Sequence, residues 1–322
     1  MQTNVKKRTI VEAIPFHSIK AETEIGFDIY HKTADGFVKV LQSGETYPNS
    51  LKERLSLGEG GELFVKSTQK SDYFAYLEHY LKEIIRDQDI PLKAKSQAIY
   101  NSASKVLEDL FEKPESPENI IRVKGVVENV IDTVLNDERS VRSLMEVGSF
   151  DYYTYTHSVD VGVYAVGFGQ HLGFSTGELE KVGYSAMMHD VGKSRIDDQI
   201  INKQGRLSQE EFETMKKHPL FGYEIMMVHN ELDKDILGGI RYHHEKKNGN
   251  GYPEKLYGKE IPLFAQMIAI SDIFSALSTK RSYKDAFSSY ETLKMMKGQM
   301  SEDLDTALLT EFIRFMGKTV SS

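Results

Sequence analysis

Short runs of alternating or β-branched residues, broken by turn formers, occupy the first seventy positions. Thr9 to Ile14, Phe27 to His31, Phe37 to Leu41 and Leu63 to Lys66 have the period-two character of half-buried strands. Ala34-Asp35-Gly36, Ser43-Gly44 and Gly58 to Gly61 separate them, and the stretch Ser50 to Leu57 reads as a helix. The pattern predicts a small β-rich module. From Ser71 to about Leu135 the period becomes helical, with Tyr73, Leu77, Tyr80, Leu81 and Ile84 on one stripe. Lys113-Pro114-Glu115-Ser116-Pro117-Glu118 interrupts this run as a turn.

From Asp137 onward almost every segment has helical spacing. Ser175 with Glu178, and Ser208 with Glu211, have the spacing of capping boxes. The exception is Lys246 to Pro262, whose two Asn-Gly steps, further glycines and two prolines cannot sustain a helix. The expected architecture is mainly α: a β-rich module over residues 1–70, connecting helices over 71–135, and an all-helical domain over 136–322.

Composition narrows what such a chain can do. With 322 residues and 40% hydrophobic content it can fill real cores. A formal net charge of −8 argues against gripping duplex nucleic acid by bulk charge, so an anionic substrate must be held by locally placed cations. No apolar run approaches the length of a membrane span and the first thirty residues lack a signal pattern, so a cytoplasmic location is expected. The chain has no cysteine. Any metal must therefore be held by imidazole and carboxylate.

Seven of the ten histidines lie between positions 157 and 244. His189-Asp190 ends an apolar helical run, Val182 to Met188, and is followed by Val191-Gly192-Lys193. Such a pair fits two ligands aimed into one cavity, or equally a histidine complementing the helix dipole beside a capping aspartate. His157 stands one turn before the stripe Val161, Tyr164, Ala165 and Phe168, and so projects from a buried face. His218 precedes Pro219, and His243-His244-Glu245 closes a helix that begins near Leu232. Asp272 interrupts the apolar helix Leu263 to Leu277, where a lone carboxylate would be costly without a cation or donors. Taken singly, each histidine also fits a hydrogen-bonded core residue.

Taken together, His157, His189-Asp190, His218-Pro219, His243-His244-Glu245 and Asp272, with Gly249-Asn250-Gly251-Tyr252-Pro253, resemble the HD-GYP family of cyclic-di-GMP phosphodiesterases, part of the HD superfamily of metal-dependent phosphohydrolases. The resemblance runs from about Tyr153 to Ala286 and takes in Met188 to Lys193, Leu207 to Glu211 and Arg281-Ser282-Tyr283-Lys284. The first seventy residues also look like a regulatory module found ahead of some such domains.

The resemblance implies one metal on His157, His189, Asp190 and Asp272, and a second, bridged by Asp190, on His218, His243 and His244. Two divalent first-row ions are implied, with iron favoured, manganese next, and zinc, nickel or cobalt compatible with the ligand chemistry. A bridging hydroxide would attack phosphorus in line and the 3′ oxygen would leave. Lys193 would contact a phosphate or protonate the leaving oxygen. Arg281 and Lys284, one turn apart on the expected continuation of the Asp272 helix, would clamp the second phosphate. Tyr252 would either pin its loop by packing or stack on a base, and the loop Asn248 to Pro253 is also a candidate surface for a signalling protein partner.

Two positions depart from the family pattern. Tyr153 stands where many members carry a glutamate able to support a third metal, which favours two metals here. Ser275 replaces an aspartate that contacts nucleotide in some members. Three function classes follow: an active cyclic dinucleotide phosphodiesterase, a sensor of low turnover that binds nucleotide or a partner protein, and an HD-type hydrolase of another phosphoester.

Overall fold

The computed structural model describes residues 11–34, 36–56, 62–148, 154–231, 233–279 and 286–321. The chain divides into two compact units, Met1–Ser102 and Ala103–Ser322. In the first, β1 (Val11–Ile14), β2 (Ile29–Thr33), β3 (Gly36–Leu41) and β4 (Leu63–Lys66) form one antiparallel sheet in the order β1-β4-β2-β3. β1, β3 and β4 lie where alternation placed them, whereas β2 starts and ends two residues later than the expected Phe27 to His31. β4 is interior, and its Leu63, Phe64 and Val65 are all buried, as the unbroken apolar run requires.

α1 (Asn49–Ser56) joins β3 to β4, and α2 (Lys70–Arg86) follows the sheet. Tyr73, Leu77, Leu81 and Ile84 of α2 are buried, whereas Tyr80 is half-buried. Tyr76, absent from the expected stripe, is buried with its hydroxyl 2.5 Å from Thr23 Oγ1. Asp28 receives Lys39 and Lys66 at 2.9 and 3.2 Å. Burial works against its ionisation, but these lysines and the Ser43 amide hold its carboxyl down at about 2. That pairing fixes the β2, β3 and β4 registers to one another.

α3 (Leu92–Glu112) carries the chain from the first unit into the second. The helical run expected over 71–135 has a second break, at Asp87 to Pro91, where Asp87 Oδ1 accepts from the Asp89 amide and the Pro91 carbonyl accepts the first amides of the next helix. α4 (Pro117–Asn136) starts at the Pro/Glu/Ser turn, with Ser116 as its cap and Pro117 in the first turn.

The second unit continues with α5 (Ser140–Gly148), α6 (Thr154–His171), α7 (Thr176–Met188), α8 (Asp198–Ile201), α9 (Gln209–Met215), α10 (His218–Val228), α11 (Lys234–Tyr242), α12 (Leu263–Ser278), α13 (Ser289–Gln299) and α14 (Thr306–Ser321). α6 is buried on every side from Thr156 to Gly169, packed by α4, α5, α7 and α12. α14 closes this core. Its Phe312 meets Phe168 and Phe274 edge-on at 5.1 and 5.5 Å, contacts worth about 0.5–1.5 kcal/mol each beyond area burial.

Both capping boxes are present, and a third, Ser288 with Glu291, starts α13. Lys246 to Pro262 forms no α-helix. One expectation fails: α12 ends at Ser278 and Thr279 is extended, so the helix does not continue toward Arg281 and Lys284. Those two residues, and Tyr153, lie outside the described residues. Among the described residues no helix is long and apolar enough to cross a membrane.

Candidate metal centre

Three histidines are aimed by the backbone of their own helix ends. His189 follows α7, His218 opens α10 and His243 follows α11. In each the Nδ1–H donates to the carbonyl three residues upstream: Ala186 at 2.6 Å, Met215 at 2.8 Å and Ile240 at 2.8 Å. A carbonyl can only accept, so Nδ1 carries a proton, and in the neutral ring Nε2 presents a lone pair. All three rings are buried, and their Nε2 atoms converge.

That convergence creates an unmet demand. His218 Nε2 and His243 Nε2 stand 3.2 Å apart, two lone pairs facing each other with no proton to share. His189 Nε2 and Asp190 Oδ1 are buried without a hydrogen-bond partner. Unsatisfied buried acceptors each cost about 1–3 kcal/mol, and a divalent cation answers all of them. The donor set is nitrogen and oxygen without sulfur, which fits first-row divalent ions.

All seven expected ligands meet here. His157, His189 and Asp272 place ligand atoms within 4.8 Å of one another, and so do His218, His243 and His244. His189, Asp190 and His243 form a third such group that shares a histidine with each of the others. Asp190 thus stands between the two outer groups. Its Oδ1 lies 3.3 Å from His218 Nε2, and its Oδ2 lies 3.4 Å from His189 Nε2 and 2.5 Å from Lys193 Nζ.

His157 is held differently. Its Nε2 lies 2.9 Å from Asp272 Oδ1, and its Nδ1 lies 3.0 Å from the buried Ser275 hydroxyl. Ser275 therefore orients the ring of a candidate ligand. Asp272 and Ser275 are three apart on α12, the spacing that puts both on one face, and that spacing was the available signal for this role.

Burial holds the His218 and His243 imidazoles well below the usual histidine range, and it lowers His157 in spite of Asp272 beside it. His244 is pushed down to about 4, again chiefly by burial. Burial would raise Asp190, but the Lys193 ammonium and the imidazoles His189, His218 and His157 hold its carboxyl well below the usual range. Asp272 is also lowered, with its desolvation outweighed by His157, His189 and His244.

The lowered histidines make the metal-free protein acid-sensitive. The unfolded chain protonates these imidazoles below about pH 6.5, while folded His244 resists protonation until about 4. Stability is therefore complete above the unfolded value and falls with pH through this window, by up to about 1.4 kcal/mol per pH unit for each such histidine. Chelator-treated protein is expected to show a clearly lower denaturant midpoint at pH 5 than at pH 7. Equal midpoints would contradict the neutral, buried state assigned to these rings.

Two glycines let backbone segments close around the site. Gly192, between Asp190 and Lys193, packs against the start of α10: a methyl there would fall on the His218 carbonyl oxygen and the Gly222 amide nitrogen, far inside contact distance. Gly251 likewise meets the backbone of Glu245 and Lys246. Glu245 is not placed among the ligand groups. It is buried and accepts from the Glu254 and Leu256 amides at 2.6 and 3.0 Å, tying the loop to the histidine pair. Sequence reasoning gave it no role, although a carboxylate next to two histidines and ahead of a glycine-rich loop marks such an anchor. Tyr252 stacks on His244 with ring centroids 4.8 Å apart.

The centre opens into a cavity of about 840 Å³. Lys193, His218, His244 and Tyr252 line its metal end, and Tyr155, residues of α8, Asn202 to Gly205 and the C-terminal end of α3 are among those that line the remainder. The volume suits a drug-sized or dinucleotide-sized ligand. The α3 wall carries no local sequence signal.

An HD domain family model matches residues 135–308, which include all seven of these ligands. The chain belongs to the HD domain family. Its motif set is that of the HD-GYP members. It is 28% identical over 192 residues to the protein named cyclic di-GMP phosphodiesterase PA4108 of Pseudomonas aeruginosa, covering 60% of this chain and 46% of that one. It is 35% identical over 162 residues to 3′3′-cGAMP-specific phosphodiesterase 2 of Vibrio cholerae, covering 49% of this chain and 31% of that one. The chain thus spans less than half the length of these curated relatives. The solved structure of Bd1817, described as a HDG"Y"P protein from Bdellovibrio bacteriovorus, superposes with a TM-score of 0.68 over 96% of this chain and all of that one, at 18% identity. That likeness establishes a common fold.

Proposed function

We propose that this protein is a metal-dependent phosphodiesterase that hydrolyses a cyclic dinucleotide at a 3′ phosphoester. The observation that carries the reading is the unpartnered Asp190 Oδ1, buried between two groups of imidazoles at the end of a cavity large enough for such a substrate. The relatives named for cyclic-di-GMP and for 3′3′-cGAMP support the substrate class.

His157, His189 and Asp272 would hold one cation and His218, His243 and His244 another, with Asp190 shared. Iron is the favoured ion and manganese the next. Bound cations would supply a nucleophilic water of lowered pKa and would neutralise charge on the phosphoryl oxygens. The chain's own groups complete the site. Lys193, which lines the cavity and lies 2.5 Å from Asp190, would bind a phosphoryl oxygen or deliver a proton to the departing 3′ oxygen. Hydrolysis adds hydroxide to phosphorus, breaks the P–O3′ bond and leaves a linear dinucleotide with a 5′-phosphate. Arg281 and Lys284 remain the proposed clamp for the second phosphate. The first unit is proposed as a regulatory module, and the exposed tip of the Asn248 to Pro253 loop as a contact for a partner protein.

The test pairs metal analysis of freshly purified protein with turnover of several cyclic dinucleotides. Two metals per chain and rapid hydrolysis are expected. Metal-replete protein that binds a cyclic dinucleotide without cleaving it would instead make this a sensor. Lys193→Ala is expected to keep its metal and lose about ten- to a hundredfold in kcat/KM, the scale of one charge-assisted contact to phosphate. Wild-type kinetics in that variant would remove Lys193 from the machinery.

A further inference from the structure

The wall of the cavity contributed by α3 consists of Glu108, Phe111 and Glu112. Spacings of three and four residues put these side chains on one helical face. All three precede the family-matched segment 135–308, whereas every metal ligand lies within it. The wall thus lies outside the matched segment that holds the metal ligands.

The wall is firmly held. Asn119 Nδ2 donates to the Asp109 and Lys113 carbonyls at the end of α3, and Arg122 pairs with Asp109 at 2.9 Å. The Pro114 carbonyl lies 3.3 Å from His229 Nε2. Arg195, two residues beyond Lys193, reaches Glu115 with one guanidinium nitrogen and Glu224 of α10 with the other, each at 3.0 Å. The segment that carries Lys193 therefore also fixes the turn after α3, setting the distance from phosphate site to wall.

Carboxylates facing a cavity for a dianionic substrate repel its phosphates, so their use must lie elsewhere on the ligand. Glu108 is engaged by Lys105 at 2.9 Å. Glu112 is exposed, without an ion-pair partner among the described residues. Phe111, half-buried between them, presents its ring to the cavity. A ring beside a carboxylate matches a purine whose edge carries adjacent N–H donors. Guanine has them at N1 and N2, whereas adenine places an acceptor at N1.

We infer that the last turn of α3 is the base-recognition wall of this site, with Phe111 as a stacking face and Glu112 as the acceptor that selects guanine over adenine. This rests on the cyclic dinucleotide reading above. With the phosphates held at the metal end, one base reaches across the cavity to Phe111, and Glu112 accepts from its N1–H and N2–H₂ groups.

The test measures kcat and KM of full-length, metal-loaded wild type, Phe111→Ala and Glu112→Gln with cyclic di-GMP, 3′3′-cGAMP and cyclic di-AMP. Wild type is expected to prefer guanine. Phe111→Ala should raise KM for all three by about 5- to 150-fold, the scale of one base–aromatic stack, with kcat and metal content kept. Glu112→Gln, whose amide both donates and accepts, should lower the cyclic di-GMP to cyclic di-AMP preference by about tenfold or more. An unchanged preference in Glu112→Gln, or an unchanged KM in Phe111→Ala, overturns the wall assignment while the phosphodiesterase reading stands. A wild type that neither binds nor cleaves any of the three sinks that reading, and the wall with it. Loss of metal or folding in Phe111→Ala would assign that residue to structure, leaving the isosteric Glu112→Gln variant to decide base selection.

Discussion

Asp190→Ala is expected to come through purification with metal absent from both positions and with turnover lowered by about a thousandfold or more. The reasoning is one of sharing. His157 and His244 belong to opposite ligand groups, but Asp190 stands beside His189 on one side and His218 on the other. Its removal withdraws an anionic oxygen from both, leaving Asp272 as the one carboxylate to offset two like-charged ions held close together. His157→Ala, by contrast, should empty only the group it shares with Asp272, because His218, His243 and His244 remain intact. Elemental analysis of the two variants side by side decides this. Unchanged metal per chain in Asp190→Ala would show that the carboxylate is not shared.

The second large effect is expected from a residue with no side chain. Gly192→Ala places a methyl against the His218 carbonyl oxygen and the Gly222 amide nitrogen, both backbone atoms that cannot rotate away. Either α10 moves back or the segment Asp190 to Lys193 does, and each movement separates Asp190 from His218. Overpacking of this kind costs about 3 kcal/mol, which for a domain this size lowers the melting temperature by about 6–12 °C. Metal affinity should fall together with stability. A melting temperature within a degree of wild type, with full metal content, would mean that the two segments can part without consequence.

Much of this was legible in sequence because it is local. β1 to β4 follow alternation and turn residues, and the boxes at Ser175 and Ser208 are contained in four residues each. The seven ligands were legible through their order and spacing as motifs, though composition gave no hint of how they meet. What escaped depends on partners distant in the chain. Ser275 orients His157 across 118 positions, and Glu245 acts through amides that its own loop returns to it. The apolar helix Leu263 to Leu277 was legible to within a residue, but its expected continuation was not, because apolar periodicity does not reveal a break set by another segment: the Phe287 amide donates to the Leu277 carbonyl just before Thr279 turns extended. The wall at Phe111 and Glu112 belongs to a helix that looked like a connector, and only its fixation by Arg195 and Asn119 brings it to the cavity.

The carbonyl-tethered imidazoles also bear on how the centre fills. With Nδ1 of His218 and His243 already committed as a donor and burial holding both rings well below the usual histidine range, the nitrogen facing the centre is deprotonated before any ion arrives. Asp190 and Asp272 are likewise ionised, held below the usual carboxylate range. Loading near neutrality then displaces no protons from these four ligands, unlike a thiolate site, where every bond formed releases one. Occupancy is uncoupled from modest swings in ambient acidity and answers to the supply of the ion itself.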